Sequence, residues 1–254
     1  MSVARGAIIA AVLIGLWYLG VALSGISPFL LPGPDRVALV FLSSPWVLAE
    51  NALVTVGTVL AGLSLGVALG AVTALWLTAA PRAARFAMPV LLFSQAIPFF
   101  ALAPLLVLWF GFGVGSKIAM AVIFIFFPVT SAFYDGLKRT DPGLIDLARV
   151  MGASEARVLW RLRLPAALPA FASGLRLAAV YAPIGAVIGE WTGGAFGGLG
   201  FLMLLANGRS KIDLMFAALF VLTLFVIALY AAVDALGRAM ERWATGEAPP
   251  RDDG

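Results

Sequence analysis

The sequence predicts an all-α integral membrane protein with six transmembrane helices. Of its 254 residues, 62% are hydrophobic and only 12% are charged, and the mean hydropathy is +1.03. Such values are typical of membrane proteins and lie outside the range of soluble globular ones. Because a spanning helix needs about 20 apolar residues, a chain of this length holds about six spans and leaves no room for a large soluble domain.

Three apolar runs predict the spans of the N-terminal half. The run Ala7–Ser24 is expected to be an uncleaved span, since it exceeds the core of about 7 to 15 residues of a signal peptide, which is the alternative. Prolines and a short amphipathic stretch follow, and this stretch is expected to lie along the membrane face. The second span is predicted over Asn51–Ala79 and the third over Met88–Phe110, interrupted by Pro98 and Pro104.

Two glycine-rich features in this half are interpreted differently from each other. Gly62, Gly66 and Gly70 share one face of the second span, a spacing that indicates close helix packing rather than a substrate site. The turn "GFGVGSK" has the glycines and lysine of a phosphate loop. However, Ser116 precedes Lys117 there and no strand leads into the turn, so nucleotide binding is not predicted.

Three further spans are predicted in the C-terminal half. They cover Ile118–Phe133, Pro165–Trp191 and Leu214–Leu236, and a polar stretch over Tyr134–Leu164 separates the first two. The run "FLMLLANGRSKID" before the last span is too short to cross a bilayer, and we expect it to dip in and return.

Charge predicts the orientation of the spans. With both termini in the cytoplasm, most basic residues fall on the cytoplasmic side, as the positive-inside rule requires. The cytoplasmic set is Arg5, Arg82, Arg85, Lys138, Arg139, Arg149, Arg157, Arg161, Arg163, Arg238, Arg242 and Arg251, and the external set is Arg36, Lys117, Arg209 and Lys211. This topology explains the net charge of +4 without nucleic-acid binding.

Two absent residue types exclude several kinds of site. Without cysteine, the chain has no disulfide, thiolate metal site or cysteine nucleophile. Without histidine, it lacks the usual general base, proton shuttle and zinc ligand. A membrane-embedded enzyme is therefore not favoured.

One basic, amphipathic stretch interrupts the apolar chain on the cytoplasmic side. We call residues 141–165 the basic segment. Asp141 with Pro142 predicts a helix start, Gly152 a stop or bend, and Ser154 the cap of a second helix that continues until Pro165 ends it or opens the next span.

The first of these two helices is expected to be amphipathic. Ile145, Ala148, Met151 and Gly152 share one side, with polar residues on the others. The plainer interpretation of the basic segment is a loop that fixes topology or lies on anionic lipid.

The spacing inside the basic segment carries a family resemblance. Asp146-Leu147-Ala148 is followed after three residues by Gly152 and, after nine more, by Leu162-Arg163-Leu164-Pro165. This pattern resembles the EAA loop of the permease subunits of binding-protein-dependent ABC importers. It departs from the family's pattern at Asp146 for glutamate, at Leu147 for alanine and at Leu162 for isoleucine.

The resemblance extends along most of the chain. The stretches "AIPFFALAPLLVLWFGFG" and "LRLAAVYAPIGAVIGEW" are similar to permeases of sulfonate, taurine and nitrate importers. The implied organisation is an N-terminal span and external amphipathic segment in residues 1–50, a type I ABC importer permease-like core in 51–243, and a disordered cytoplasmic tail in 244–254.

The family implies a coupling helix that docks on a separate ATPase. The implied coupling residues are Asp146, Ala148, Arg149, Gly152, Ala153, Leu162, Leu164 and Pro165. A substitution of Gly152 is expected to break docking without unfolding the membrane domain. The other implied partners are a periplasmic or lipid-anchored solute-binding protein and a second permease copy in the inner membrane. ATP and Mg would be bound by the ATPase, and this chain would bind no cofactor and catalyse no reaction.

Polar and aromatic residues within the spans are candidates for the translocation path, because polar groups in a bilayer are costly. The candidates are Gln95, Pro98, Phe99, Phe100, Tyr181 and Glu190, and ordinary packing is the alternative for the aromatic ones. Glu190 is expected near the outer interface, as a gate, a binding-protein contact or a hydrated capped carboxylate. Arg176 lies on the same helix about 20 Å away, so it cannot pair with Glu190 and is expected to extend toward the cytoplasm.

The resemblance leaves the solute open. A sulfonate, nitrate, cyanate or a thiamine-precursor pyrimidine is compatible with it, and the aromatic, neutral path residues favour a planar heterocycle such as a hydroxymethylpyrimidine. The alternative to an ABC permease is an ion-coupled secondary transporter, which would usually show internal repeats and mid-membrane acidic residues.

Overall fold

The computed structural model describes residues 3–27, 29–193 and 197–245, and every regular element in these ranges is helical. A π-helical turn, Leu159–Arg163, lies between α8 and α9. The helices are α1 (Val3–Ser24), α2 (Pro34–Ser43), α3 (Pro45–Ala79), α4 (Pro81–Ser94), α5 (Phe99–Phe110), α6 (Val114–Lys138), α7 (Pro142–Val150), α8 (Glu155–Val158), α9 (Leu164–Thr192), α10 (Leu199–Gly208) and α11 (Ile212–Thr245).

Four helices in the described ranges are long and apolar enough to cross a membrane. They are α3, α6, α11 and the continuous stretch Glu155–Thr192 that joins α8 to α9. The pair α4 and α5 makes a fifth span if the two count as one. The apolar part of α1, Ala11–Ser24, is shorter, so the predicted total of six spans stays a prediction. In the described ranges α10 has only 10 residues, too few to cross a bilayer, as the sequence predicts.

The predicted third span, Met88–Phe110, is not one helix. It forms the end of α4 and all of α5, which meet at an angle of 101°. Pro98 has no N–H to continue the helix and disfavours helical geometry at Ile97. The N–H groups of Gln95 to Ile97 instead bond three residues back, to Leu92, Phe93 and Ser94.

The core of the molecule is α6 packed between α3 and α9. On the α3 side, a Cβ at Gly62 would lie 2.5 Å from the Ala121 Cβ, and one at Gly70 would lie 2.9 Å from Val129 Cγ1. On the α9 side, a Cβ at Gly185 would lie 2.8 Å from the Ala121 Cα. Side chains at these positions would hold the helices apart, so the glycine face of the second span serves packing, as the sequence predicts.

The helix ends do not coincide with the predicted domain boundaries. Helix α3 begins at Pro45, before the boundary after residue 50, and α11 continues to Thr245, past the boundary after residue 243. The remainder of the predicted tail, residues 246–254, lies outside the described residues.

We expect Gly62→Val to lower the stability of the membrane domain by about 1–3 kcal/mol, because the added methyl groups overlap Ala121, which has no flexible side chain to move. The check is the free energy of unfolding of the purified protein in detergent micelles. Gly57→Val is the matched control, since the space around a Cβ at Gly57 on the same helix is open. Equal losses in the two variants would show that helix propensity, and not close packing, sets the cost.

Candidate functional site

The ends of the two helices in the basic segment are set by local hydrogen bonds. Asp141 Oδ1 accepts from the N–H of Gly143 at 2.8 Å, and Ser154 Oγ accepts from the N–H of Arg157 at 3.3 Å. The predicted caps are therefore present. The chain turns between the helices at Gly152, where φ is +80°.

Gly152 has a structural role that does not depend on any partner. Its N–H bonds to the carbonyl of Arg149, and the N–H of Ala153 bonds to that of Ala148, both at 2.9 Å. This is the paired hydrogen bonding of a helix end that requires a left-handed residue at the position of Gly152. Space for a Cβ is open there, so only the backbone conformation disfavours a side chain at Gly152.

The second helix of the basic segment is anchored in the membrane core. It does not end at Pro165, because α8, the π-helical turn and α9 form one continuous helix. Val158 is buried, and Leu159 and Leu164 pack against a cluster that includes Leu77. Of the predicted coupling residues in this half, Leu162, Leu164 and Pro165 are half-buried.

The first helix, α7, presents an apolar face to its surroundings. Only Ile145 is buried, and Ala148 is half-buried beside it. Leu144 and Leu147 are exposed, and Val150 exposes 85% of its surface. Met151, expected beside Ile145, is also exposed, directly after the end of α7.

Arg149 connects the two helices of the basic segment. Its Nε donates to Glu155 Oε1 at 2.9 Å, and its Nη1 donates to Asp146 Oδ1 at 3.4 Å. The hydrogen bond to Glu155 raises the pKa of the Arg149 guanidinium above its ordinary value, so this group stays charged. Asp146 and Arg149 thus bond within the segment and hold its shape.

The candidate path residues of the α4–α5 region lie at the bend. Gln95 is half-buried in the turn, and Pro98 is exposed immediately before α5. The ring of Phe99 packs against Phe124 with centroids 4.9 Å apart. This contact favours ordinary helix packing for Phe99 over a role in the translocation path. Phe100, by contrast, exposes 68% of its surface.

Two candidate path residues lie on α9 in different surroundings. Tyr181 is exposed and Glu190 is completely buried. The expected hydrated carboxylate at the interface is therefore wrong for Glu190. Its Oε1 accepts from Thr55 Oγ1 at 2.8 Å and its Oε2 accepts from the N–H of Gly200 at 2.7 Å.

Glu190 belongs to a buried polar cluster that the sequence did not predict. Lys117, predicted in the turn after the third span on the external side, is completely buried, and its Nζ donates to the carbonyl of Gly197 at 2.8 Å. The two side chains also attract each other electrostatically. Asn51 Oδ1 accepts from the N–H of Gly198 at 2.9 Å, and Thr55 Oγ1 accepts from that of Leu199 at 2.7 Å. We call Asn51, Thr55, Lys117 and Glu190 the outer polar cluster, after the side of the membrane on which the sequence predicts them.

The outer polar cluster fixes the start of α10 against α3, α6 and α9. Gly198 has φ of +117°, and a Cβ there would overlap the carboxylate of Glu190. The sequence offered one signal for this cluster, namely that Lys117 and Glu190 are ionisable residues at the ends of two spans, close to glycines. The contacts between these side chains and the glycines depend on the tertiary fold, so residue spacing does not predict them.

Arg176 is the centre of a second group of charges that the sequence did not predict. It donates from Nε to Asp234 at 2.7 Å and from Nη1 to Glu241 at 2.8 Å, joining α9 to α11. Asp234 also pairs with Arg238. Arg176 therefore bridges two helices, whereas its place in the sequence predicted only that it extends toward the cytoplasm.

A family model described as binding-protein-dependent transport system inner membrane component matches residues 66–246, which include the basic segment. The chain belongs to this family. It is therefore the permease subunit of an ABC importer, as the resemblance of the basic segment implies, and we refer to it below as the permease.

Curated relatives match nearly the whole permease. A probable ABC transporter permease protein of Haemophilus influenzae is 46% identical over 89% of this chain and 92% of its own length. The formylaminopyrimidine transport permease protein ThiX of Halalkalibacterium halodurans is 36% identical over 90% and 91%. The riboflavin transport system permease protein RibX of Chloroflexus aurantiacus is 35% identical over 91% and 87%.

A solved structure has the same fold. A chain of the MetNI methionine ABC transporter in an inward-facing conformation aligns with a TM-score of 0.66, covering 77% of this chain and 96% of the other. The two are 20% identical, so the likeness establishes the all-α fold of a type I importer permease and nothing about the solute.

We expect Glu190→Leu to destabilise the permease by about 1–3 kcal/mol for each buried donor left unpaired, because it removes the acceptor of the Thr55 hydroxyl and of the Gly200 N–H. It also removes the charge that attracts Lys117, so the double variant Lys117→Met with Glu190→Leu should regain part of this loss. Unfolding of the single and double variants in mixed micelles measures both effects. If the two single losses simply add in the double variant, the charges do not interact.

Proposed function

We propose that the permease is driven by an ATPase that docks on the exposed apolar face of α7. This face consists of Leu144, Leu147, Val150 and Met151, and it belongs to a short helix between two spans. An exposed apolar patch on a helix outside the membrane is typical of a protein-binding surface. A groove on the partner would receive these side chains as it receives any amphipathic helix.

The proposed surface differs in part from the one the family resemblance implies. Ala148, Gly152 and Ala153 shape the end of α7, and Leu164 anchors the segment in the core. Asp146 and Arg149 remain exposed beside the apolar face, where their charges can orient a partner. Docking energy therefore comes mainly from the apolar face, and the other implied coupling residues hold that face in position.

The rest of the assembly follows from the family. A single permease chain would be one half of a homodimer, with an ATPase on each half that binds ATP and Mg. A periplasmic or lipid-anchored binding protein would deliver the solute to the outer side, with both termini of the permease in the cytoplasm. An ion-coupled secondary transporter is no longer favoured, because the chain belongs to the ABC importer family.

The proposed solute is a planar nitrogen heterocycle such as a thiamine-precursor pyrimidine. Two relatives that match most of the chain are named for formylaminopyrimidine and riboflavin transport. The exposed rings of Phe100 and Tyr181 are neutral surfaces on which a flat ring can stack. Sulfonates and nitrate are the alternatives, and both would favour a basic path.

Docking predicts that Val150→Asp lowers the amount of ATPase retained on the purified permease at least roughly tenfold, equivalent to about 1.4 kcal/mol, since the carboxylate loses its water in an apolar contact. The measurement is co-purification with the ATPase and permease-dependent ATP hydrolysis. Val114→Asp is the matched control, because Val114 is also exposed but begins α6 on the predicted outer side. Gly152→Asp should also reduce retention. Full retention by Val150→Asp would contradict the proposed surface.

The solute is tested by uptake in cells that express the permease with its ATPase and binding protein. Labelled formylaminopyrimidine should enter only when all three are present, and a hundredfold excess of taurine or nitrate should not compete. Competition by taurine would instead identify a sulfonate importer. That result would leave the docking surface on α7 unaffected.

A further inference from the structure

A charged cavity lies where α3, α4, α6 and the π-helical turn meet. Its volume is about 600 Å³. Arg85, Lys138 and Arg163 bring three positive charges to its wall, and Asp135 brings one negative charge. The cavity is thus a basic recess between helices, separate from the apolar face of α7.

The positive charges of this cavity form no ion pair with the described part of the chain, although Glu155 attracts Arg163 electrostatically and Lys138 lies over the ring of Tyr134. Arg85, Lys138 and Arg163 have no carboxylate within 4.0 Å among the described residues, so Asp135 does not pair with them. The Nε of Arg163 is buried and has no hydrogen-bond partner there. Three positive charges therefore face the cavity against one carboxylate, and an anion is the ligand that this balance favours.

The other wall of the cavity is apolar. Met88 and Pro89 of α4 line it. On the same helix Phe86 and Val90 are exposed, as side chains in contact with lipid are. The cavity therefore has a cationic wall beside an apolar helix surface, and this combination fits an amphiphile with an anionic head.

We propose that this cavity binds the phosphate headgroup of an anionic phospholipid of the cytoplasmic leaflet. Arg85, Lys138 and Arg163 would bond the phosphate oxygens, and the acyl chains would lie along α4. Basic pockets between transmembrane helices on the cytoplasmic side bind lipid headgroups in this way. The proposal rests on the proposed orientation, with the cavity facing the cytoplasm.

The bound headgroup would also steady the base of the basic segment. Arg163 lines a second cavity as well, of about 460 Å³, together with Arg149 and Glu155. A phosphate held by Arg163 fixes the π-helical turn from which α8 and α7 extend. Lipid composition therefore affects how well the apolar face of α7 is held for its partner.

The test is a titration of the full-length permease, in nonionic detergent, with short-chain phosphatidylglycerol. Binding is followed by native mass spectrometry. Arg85→Gln with Lys138→Gln should weaken binding roughly twenty-five-fold, about fivefold for each charge removed. The matched control is Arg82→Gln with Arg139→Gln, which removes equal charge from the same region, since Arg82 and Arg139 are exposed and do not line the cavity.

Several outcomes would overturn the proposal. Equal weakening by both double variants would indicate nonspecific surface charge. Phosphatidylcholine of the same chain length binding equally well would remove the anionic requirement. Displacement of the lipid by equimolar glycerol 3-phosphate would identify a free phosphate ester as the ligand. Lost ATPase retention with unchanged lipid binding in the cavity variant would assign the recess to the ATPase.

Two controls keep these outcomes distinct from misfolding and from wrong topology. Thermal unfolding of the permease variants without added lipid checks that they fold. Lys138→Gln alone changes an exposed residue and should still lower lipid binding about fivefold. Because the chain has no cysteine, Arg139→Cys gives a single label site. Labelling of this site by an impermeant maleimide from outside intact cells would overturn the proposed orientation and the assignment of the lipid to the cytoplasmic leaflet. Lipid binding to the cavity in detergent does not depend on orientation and is measured separately.

Discussion

The close approach of α6 to α3 and α9 is the constraint on which the rest of the permease depends. Apolar burial drives helix association weakly in a bilayer, where lipid is as apolar as leucine, so contact distance and polar bonds decide the packing. Gly62 and Gly70 on one side of α6, and Gly185 on the other, let backbones nearly touch. Only at that separation can Glu190 on α9 reach Thr55 on α3, with Lys117 of α6 beside them.

Features governed by neighbouring residues could be predicted from the sequence. A backbone in hydrocarbon must satisfy its own hydrogen bonds, so long apolar runs predicted helices such as α3, α6 and α11. The caps at Asp141 and Ser154 were predictable for a similar reason, since each bonds an amide only two or three residues away. The family resemblance came from spacing within the basic segment and from two further stretches of the sequence.

Features that depend on distant parts of the chain could not be predicted. The bonds of Glu190 to Thr55 and of Lys117 to Gly197 join residues separated by 135 and 80 positions. The bend between α4 and α5 had a local signal in Pro98, yet Pro89 and Pro104 lie inside helices without breaking them. Proline marks a weak point, and tertiary packing decides whether the helix bends there.

The continuous helix Glu155–Thr192 gives the permease a lever arm. At 1.5 Å per residue its 38 residues extend about 57 Å, from beside α7 to the outer polar cluster. A tilt of about 5° around its midpoint would displace each end by roughly 2.5 Å in opposite directions. Force applied to the basic segment on one side of the membrane therefore reaches Glu190 on the other as rigid-body motion. The π-helical turn lies in this arm at the end next to α7.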